Sequence, residues 1–296
     1  MNADDDSTPR SAVTVVVPVR NGARSLGRLL DALVAQDLDE PWSVVVVDNG
    51  STDETASVAA RHPLRPLVVP EARVGSYAAR NAGIAASSEP VLAFTDGDCA
   101  PRPGWLRAGL EAVRSGADLV GGEINQVLSD RPSAAERYDA RHYLNQQETI
   151  ERSGHAATAN LFVRRAVFDD IGPFDADLLS GGDLELCFRA RRAGHSLVYE
   201  PQAIVDHLPR RTLAETWRLR LRLYEGIHDI ERRHPDVVRE LHESLRRPWN
   251  RPHDAPLGRL ALLRRRLTFL APHLVHRLAR REAARRAKRR ARPSSP

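Results

Sequence analysis

Residues 13–19 read Val-Thr-Val-Val-Val-Pro-Val, an apolar run broken by a single threonine. A strand with one wet face alternates polar and apolar positions, so this run belongs in a sheet covered on both sides. The runs at 43–47 and 91–95 are of the same kind, and shorter ones follow at 66–69 and 117–121. Between them, residues 25–36 carry leucines at 26, 29, 30 and 33, a helical period, and 52–60, 76–86 and 104–114 also read as helices. Alternating buried strands and helices predict an α/β fold with a mostly parallel central sheet flanked by helices. Ligands of such sheets bind beyond the carboxyl ends of the strands, where three polar clusters fall: 18–22, 48–53 and 96–98.

Beyond this alternation the pattern loosens. Residues 130–153 are polar and helical in character, 156–163 read as a strand, 164–170 as a short helix, and Gly172-Pro173-Phe174 as a turn. Gly181-Gly182 opens a helix near Asp183 that runs to Ala193 and is stopped by Gly194; strands at 196–199 and 203–207 follow. After Pro209 come long Arg/Leu-rich helices. The expected division is a disordered polar N-terminus (1–11), an α/β domain (12–210) and a helical, basic C-terminal extension (211–296).

Charge is unevenly spread. Residues 257–296 hold thirteen Lys/Arg and one acid, a net +12, which leaves −7 on the remainder from a total of +5. Leucines at 257, 260, 263, 267 and 270 lie among arginines at near-helical spacing. A basic amphipathic helix of this kind suits an anionic membrane surface, or it packs on the body with a charged end in solvent. No apolar run approaches membrane-spanning length. The polar, acidic first ten residues do not read as a secretory signal, and two cysteines, Cys99 and Cys187, make no disulfide framework. The expected location is cytoplasmic, with a peripheral seat at the inner membrane face through the tail.

Several residues invite a chemical reading. Asp96 and Asp98 end a buried strand and flank Gly97; alternate residues of an extended chain point the same way. Two such carboxylates suit Mg²⁺ or Mn²⁺, which prefer oxygen ligands and bridge to phosphate. Asp-Gly at a strand end is equally a turn. Asp48, also at a strand end, can accept from a nucleobase N–H, or simply form a turn before Asn49-Gly50. Arg80 suits phosphate or base recognition through its fixed fork of donors, or is a solvated helix arginine. Asp183 stands where a helix cap would, and His207 closes an apolar strand.

Taken together the motifs resemble a family-2 glycosyltransferase of the nucleotide-sugar-binding GT-A fold. They are Val-Val-Val-Pro-Val-Arg-Asn-Gly (15–22), Val-Val-Asp-Asn-Gly-Ser-Thr-Asp (46–53), Gly-Ser-Tyr-Ala-Ala-Arg-Asn-Ala-Gly (75–83), Thr-Asp-Gly-Asp (95–98), Thr-Ala-Asn-Leu (158–161), Gly-Gly-Asp-Leu-Glu-Leu (181–186) and the strand ending at His207. The resemblance spans 12–208. It implies a GT-A transferase fold and an inverting, metal-dependent transfer of one sugar from a UDP- or GDP-type donor. Pro18, Arg20 and Asp48 would line the base pocket, with Arg20 standing where relatives often have an aromatic residue. Arg80 and Asn81 would face the nucleotide, Asp96 would hold the ribose and assist the metal, and Gly97 would let the anionic ligand approach the backbone. Asp98 and His207 would bind Mn²⁺ or Mg²⁺. Asp183 would be the general base. Many relatives carry Glu-Asp there, where this chain has Gly182-Asp183, so Glu185 stands as the fallback base. His155 and Asn160 would lie on the acceptor side.

Two absences narrow the class. There is no Gln-x-x-Arg-Trp signature after Asp183, which argues against processive synthesis. Residues 18–24 lack the Gly-x-Gly-Thr-Arg loop of sugar nucleotidyltransferases, the main alternative. A non-catalytic nucleotide- or nucleic-acid-binding role would use the Arg-rich tail but explains nothing in 12–208.

Overall fold

The structure, a computed structural model, describes residues 12–246 and 277–287. Expectations for 1–11 and for the leucine series 257–270 lie outside the described residues. The chain order is β1 (Val13–Val19), α1 (Ala23–Val34), β2 (Trp42–Asp48), α2 (Thr55–Arg61), β3 (Leu67–Pro70), α3 (Ser76–Ala85) and β4 (Val91–Thr95). It continues with β5 (Cys99–Pro101), α4 (Trp105–Arg114), β6 (Leu119–Gln126), α5 (Ala134–His142), α6 (Gln146–Ser153), β7 (Asn160–Arg164) and α7 (Arg165–Ile171). Last come α8 (Gly182–Arg192), β8 (Leu197–His207), α9 (Leu213–Arg233) and α10 (Pro235–Arg246). Residues 277–287 form one more helix.

One eight-stranded sheet runs in the order β3-β2-β1-β4-β7-β6-β8-β5. β3, β2, β1 and β4 are mutually parallel, β7 enters antiparallel between β4 and β6, and β6 pairs parallel with β8. The valines of β1 explain why both faces must be covered. Val13, Val15, Val17 and Val19 join the core under α1 and α4, while Val16 joins Leu92, Phe94 and the α8 residues Leu184 and Phe188 on the other face. The α1 leucines 26, 29, 30 and 33 are all fully buried, as their spacing predicts.

Several boundaries differ from expectation, each for a local reason. The second helix starts at Thr55, because Asp53 accepts from the Thr55 amide and hydroxyl and holds 52–54 in a loop. The strands expected at 196–199 and 203–207 are a single β8; its register against β6 slips between Gly122 and Glu123, so residues 201–203 bulge without breaking the ladder. The strand expected at 156–163 begins only at Asn160. β5 has three residues, too few to show any period, yet it pairs Cys99 with His207 and so brings Asp98 beside that histidine.

Asn160 pins the centre of the sheet. Its side-chain oxygen accepts from the Trp105 indole at 2.8 Å, and its amide donates to the carbonyls of Glu123 and Ala203, both at 2.8 Å, across the bulge.

Candidate active site

A cavity of about 680 Å³ opens at the carboxyl ends of the parallel strands. The β1–α1 loop (Pro18, Arg20 and Gly22 among it) lines it, together with Asp96, Gly97 and Asp98. His155, Thr158 and Asp183 line it as well, and α9 contributes Arg222 and Ile227.

The strand-end loops are locked by side chains bonding to backbone. Asn21 adopts φ 52°, and its carbonyl oxygen accepts from Thr52 N–H at 2.8 Å. The amides of Asn21, Gly22 and Ala23 donate to Ser51, Thr55 and Asp53 respectively. Asn49, 4% exposed, donates to the carbonyls of Glu71 and Arg73 and accepts from Gly75 N–H, which fixes the approach to α3. These short polar residues serve strand-end loops because their side chains substitute for missing backbone partners. Gly97 rests on β1: a Cβ there would come within 3.1 Å of Val19 Cγ2.

Arg80 is 3% exposed and pairs with Asp96 at 2.5 Å. Asp96 is therefore held by a buried cation before any ligand arrives. Asp98 is exposed and its side chain has no partner among the described residues. His207, 3% exposed, has Nδ1 3.1 Å from Gln126 Oε1. That oxygen can only accept, so Nδ1 carries the proton and Nε2 keeps its lone pair. Burial pushes the His207 imidazole pKa down, with Asp98 and Asp96 opposing. A neutral imidazole oriented by its other nitrogen is the state in which histidine ligates metals.

Among the described residues no group of three or more His, Cys, Asp or Glu is gathered as a ready-made metal site. Asp98 and His207 nonetheless face one cavity from paired strands with free donor atoms. This set fits a hard or borderline divalent cation that takes its remaining ligands from a phosphate-bearing substrate.

Asp183 lines the cavity from the first turn of α8. It is not the cap: Gly181, in the left-handed region at φ 82°, occupies that position. Asp183 Oδ1 accepts from the Leu184 amide at 3.0 Å and from the Tyr77 hydroxyl at 3.3 Å.

Four residues named from sequence do not line the cavity. Asn81 is engaged at both ends of its amide by the backbone of Phe174, at 2.9 and 3.0 Å, so it holds the 172–174 turn against α3. Glu185, 1% exposed, is spent on Arg189, which also ties the carbonyls of Ile171 and Pro173; it cannot serve as a base. Asn160 is the sheet pin described above. Asp48 lies at the β2 end next to Val19 and accepts from Ser51 N–H, just outside the cavity lining.

Conversely, the structure adds residues that sequence reading missed. Tyr143 and Arg210 line the cavity together, with the guanidinium 4.4 Å from the ring centroid and paired to the fully buried Asp139 at 3.1 Å. Arg210 follows His207 by three residues, the one signal that pointed to it; Tyr143 and Arg222 had none. His155 lines the cavity, with Nδ1 buried and unpartnered.

Sheet, cavity and strand-end aspartates define a nucleotide-sugar-transferase type of α/β fold, and comparison with known proteins makes the class definite. Residues 14–172 match the family model described as Glycosyl transferase family 2. The chain belongs to that family and is a glycosyltransferase. It is 39% identical over 220 residues to glycosyltransferase AglE of Haloferax volcanii, covering 72% of each chain. It is 36% identical over 241 residues to a pre-mycofactocin glycosyltransferase of Mycobacterium tuberculosis, covering 77% of this chain and 49% of that one. The chain thus spans about half the length of the second relative. Among solved structures, the mannosyltransferase PcManGT from Pyrobaculum calidifontis, in complex with GDP-Man and Mn²⁺, superposes with TM-score 0.58 at 22% identity, covering 98% of this chain and 77% of that one. S. aureus TarS 1–349 in complex with UDP-GlcNAc gives 0.55 at 21% identity, covering 78% and 72%. Both likenesses establish the GT-A fold.

Proposed function

We propose that the chain moves one sugar from a nucleoside-diphosphate sugar to an acceptor hydroxyl, with inversion at the anomeric carbon and without processive elongation. The carrying observation is that Asp98, His207 and Asp183 line a single cavity. Asp98 and His207 would hold Mn²⁺ or Mg²⁺, and a cation there offsets charge gathering on the departing diphosphate. Asp96, fixed by Arg80, would take the ribose hydroxyls. Pro18, Arg20 and Asp48 would meet the base, and the bare Gly97 backbone would let the diphosphate approach. Asp183 would remove the proton from the acceptor hydroxyl as its oxygen attacks. The neighbouring structures with GDP-Man and UDP-GlcNAc support a guanosine or uridine donor.

Near residue 210 the sugar-transfer domain would give way to the helical extension. In the helix at 277–287, Ala279 and Ala283 are buried against Leu221 of α9, while Arg277, Arg280, Arg281 and Arg285 face outward. No described helix is long and apolar enough to cross a membrane. We propose that this arginine face meets anionic lipid headgroups, placing the enzyme at the inner membrane face.

Thermal shift with UDP, GDP and ADP, with and without Mn²⁺, tests the donor reading. UDP or GDP is expected to stabilise the chain only with the cation, and Asp98→Ala and His207→Ala each to abolish that dependence. Cation-independent binding overturns the metal assignment. Release of pyrophosphate rather than nucleoside diphosphate would identify a nucleotidyltransferase instead.

A further inference from the structure

Gly182 stands directly before Asp183, and the surrounding space explains why it is glycine. A Cβ built on it would lie 2.8–2.9 Å from Cε2, Cδ2 and Cζ of Tyr77. The residue starts α8 without a positive φ, so conformational freedom is not its reason. The aromatic ring fills the place where a side chain at 182 would begin.

That ring is firmly held. Tyr77 is 5% exposed, stacks on Phe174 with centroids 5.7 Å apart, and has the Arg80 guanidinium 5.5 Å from its centroid. Its hydroxyl donates to Asp183 Oδ1. Burial first, and then the charge on Asp183, push the phenol pKa up, so at neutral pH the hydroxyl remains a donor. Oδ1 thus receives two donors, the Tyr77 hydroxyl and the Leu184 amide, whereas Oδ2 has no hydrogen-bond partner among the described residues. A carboxylate pinned through one oxygen presents the other in a fixed direction.

We infer that Tyr77 is a positioning residue for Asp183, turning Oδ2 toward the acceptor hydroxyl, and that Gly182 is the opening that admits its ring. This inference rests on the reading of Asp183 as the base. It also gives α3 two tasks one turn apart. Arg80 fixes Asp96 on the donor side, and Tyr77 fixes Asp183 on the acceptor side.

The test combines turnover with a stability cycle. Nucleoside-diphosphate release from GDP-mannose and UDP-N-acetylglucosamine is followed with Mn²⁺, water or an added alcohol accepting the sugar. Tyr77→Phe keeps the ring and loses only the hydroxyl. It is expected to lower kcat by about tenfold while donor KM stays within about twofold and the melting temperature holds. Gly182→Ala is expected to lower the melting temperature while Tyr77 is present. In a Tyr77→Ala background the same change should be neutral or stabilising, since alanine is the better helix former. That reversal of sign needs no turnover to be read.

Full kcat in Tyr77→Phe with an inactive Asp183→Asn overturns the positioning role and leaves the base in place. Full turnover in Asp183→Asn overturns the base itself, and the positioning role with it. An equal cost of Gly182→Ala with and without the ring overturns the account of Gly182.

Discussion

The two sides of the cavity are built by different means. On the proposed donor side, loops after parallel strands are knitted by Asn21, Asn49, Ser51, Asp53 and Thr55, short side chains bonding to nearby backbone. On the proposed acceptor side, elements distant in sequence meet through long or aromatic side chains: Tyr77 with Asp183, and Arg210 with Asp139 and Tyr143. The first design fixes a backbone surface through short side chains close in sequence to the strand ends. The second fixes individual side chains through burial and charge. Binding and turnover should therefore separate along this line.

The largest expected effect tests that separation directly. Asp183→Asn keeps the shape of the acceptor side but cannot take a proton, and should lower transfer by about 10²–10⁴. Stabilisation by nucleoside diphosphate and Mn²⁺ should be unchanged, as read by thermal shift. Loss of both together would mean that the two sides are not independent.

The same contrast governs what was legible in the sequence. Parallel strands buried on both faces announce themselves as valine runs, and their loops follow within a few residues, so β1 to β4 and the aspartates 96 and 98 could be located from sequence. The juxtaposition of Asp98 and His207 depends on β5, three residues long, and on β8, whose bulge reads as a gap between two strands. Neither has a periodic signature. Asn81, Glu185 and Asn160 sit inside functional-looking motifs, yet their side chains serve Phe174, Arg189 and the Trp105 indole. A motif fixes position along the chain. Which way the side chain turns depends on partners 4 to 93 residues away.

Next in size are the two pinning asparagines. Asn160→Ala would strand an indole N–H and two carbonyls in the core, with a cost of about 3 kcal/mol by denaturant unfolding. Asn49→Ala removes as many bonds, but in a part-buried loop that water can enter, and should cost about 1–2 kcal/mol. Equal costs would erase the distinction between core pin and loop lock. Along the outer helix, Arg280→Gln with Arg281→Gln should weaken flotation with phosphatidylglycerol vesicles by about 2 kcal/mol, near thirtyfold, and leave transfer in solution intact. Unchanged flotation would remove this helix from the membrane reading.

The smallest effect concerns pH and is read first at His155. Burial pushes the His155 pKa below 6.5, with the charge on Asp183 opposing. Below about pH 6.5 the unfolded chain takes up a proton that the folded chain refuses, so stability present above that pH is lost as pH falls toward the depressed folded value. One such group contributes at most about 1.4 kcal/mol per pH unit. His155→Gln should flatten the fall in melting temperature between about pH 6.5 and 5, without removing it, because His207 is shifted the same way. The donor-side Asn21 and Asn49 contacts do not titrate here, so Asn49→Ala should lower the curve at every pH without changing its slope. A slope that follows Asn49 rather than His155 would place the acid-sensitive contacts on the donor side and reverse the comparison.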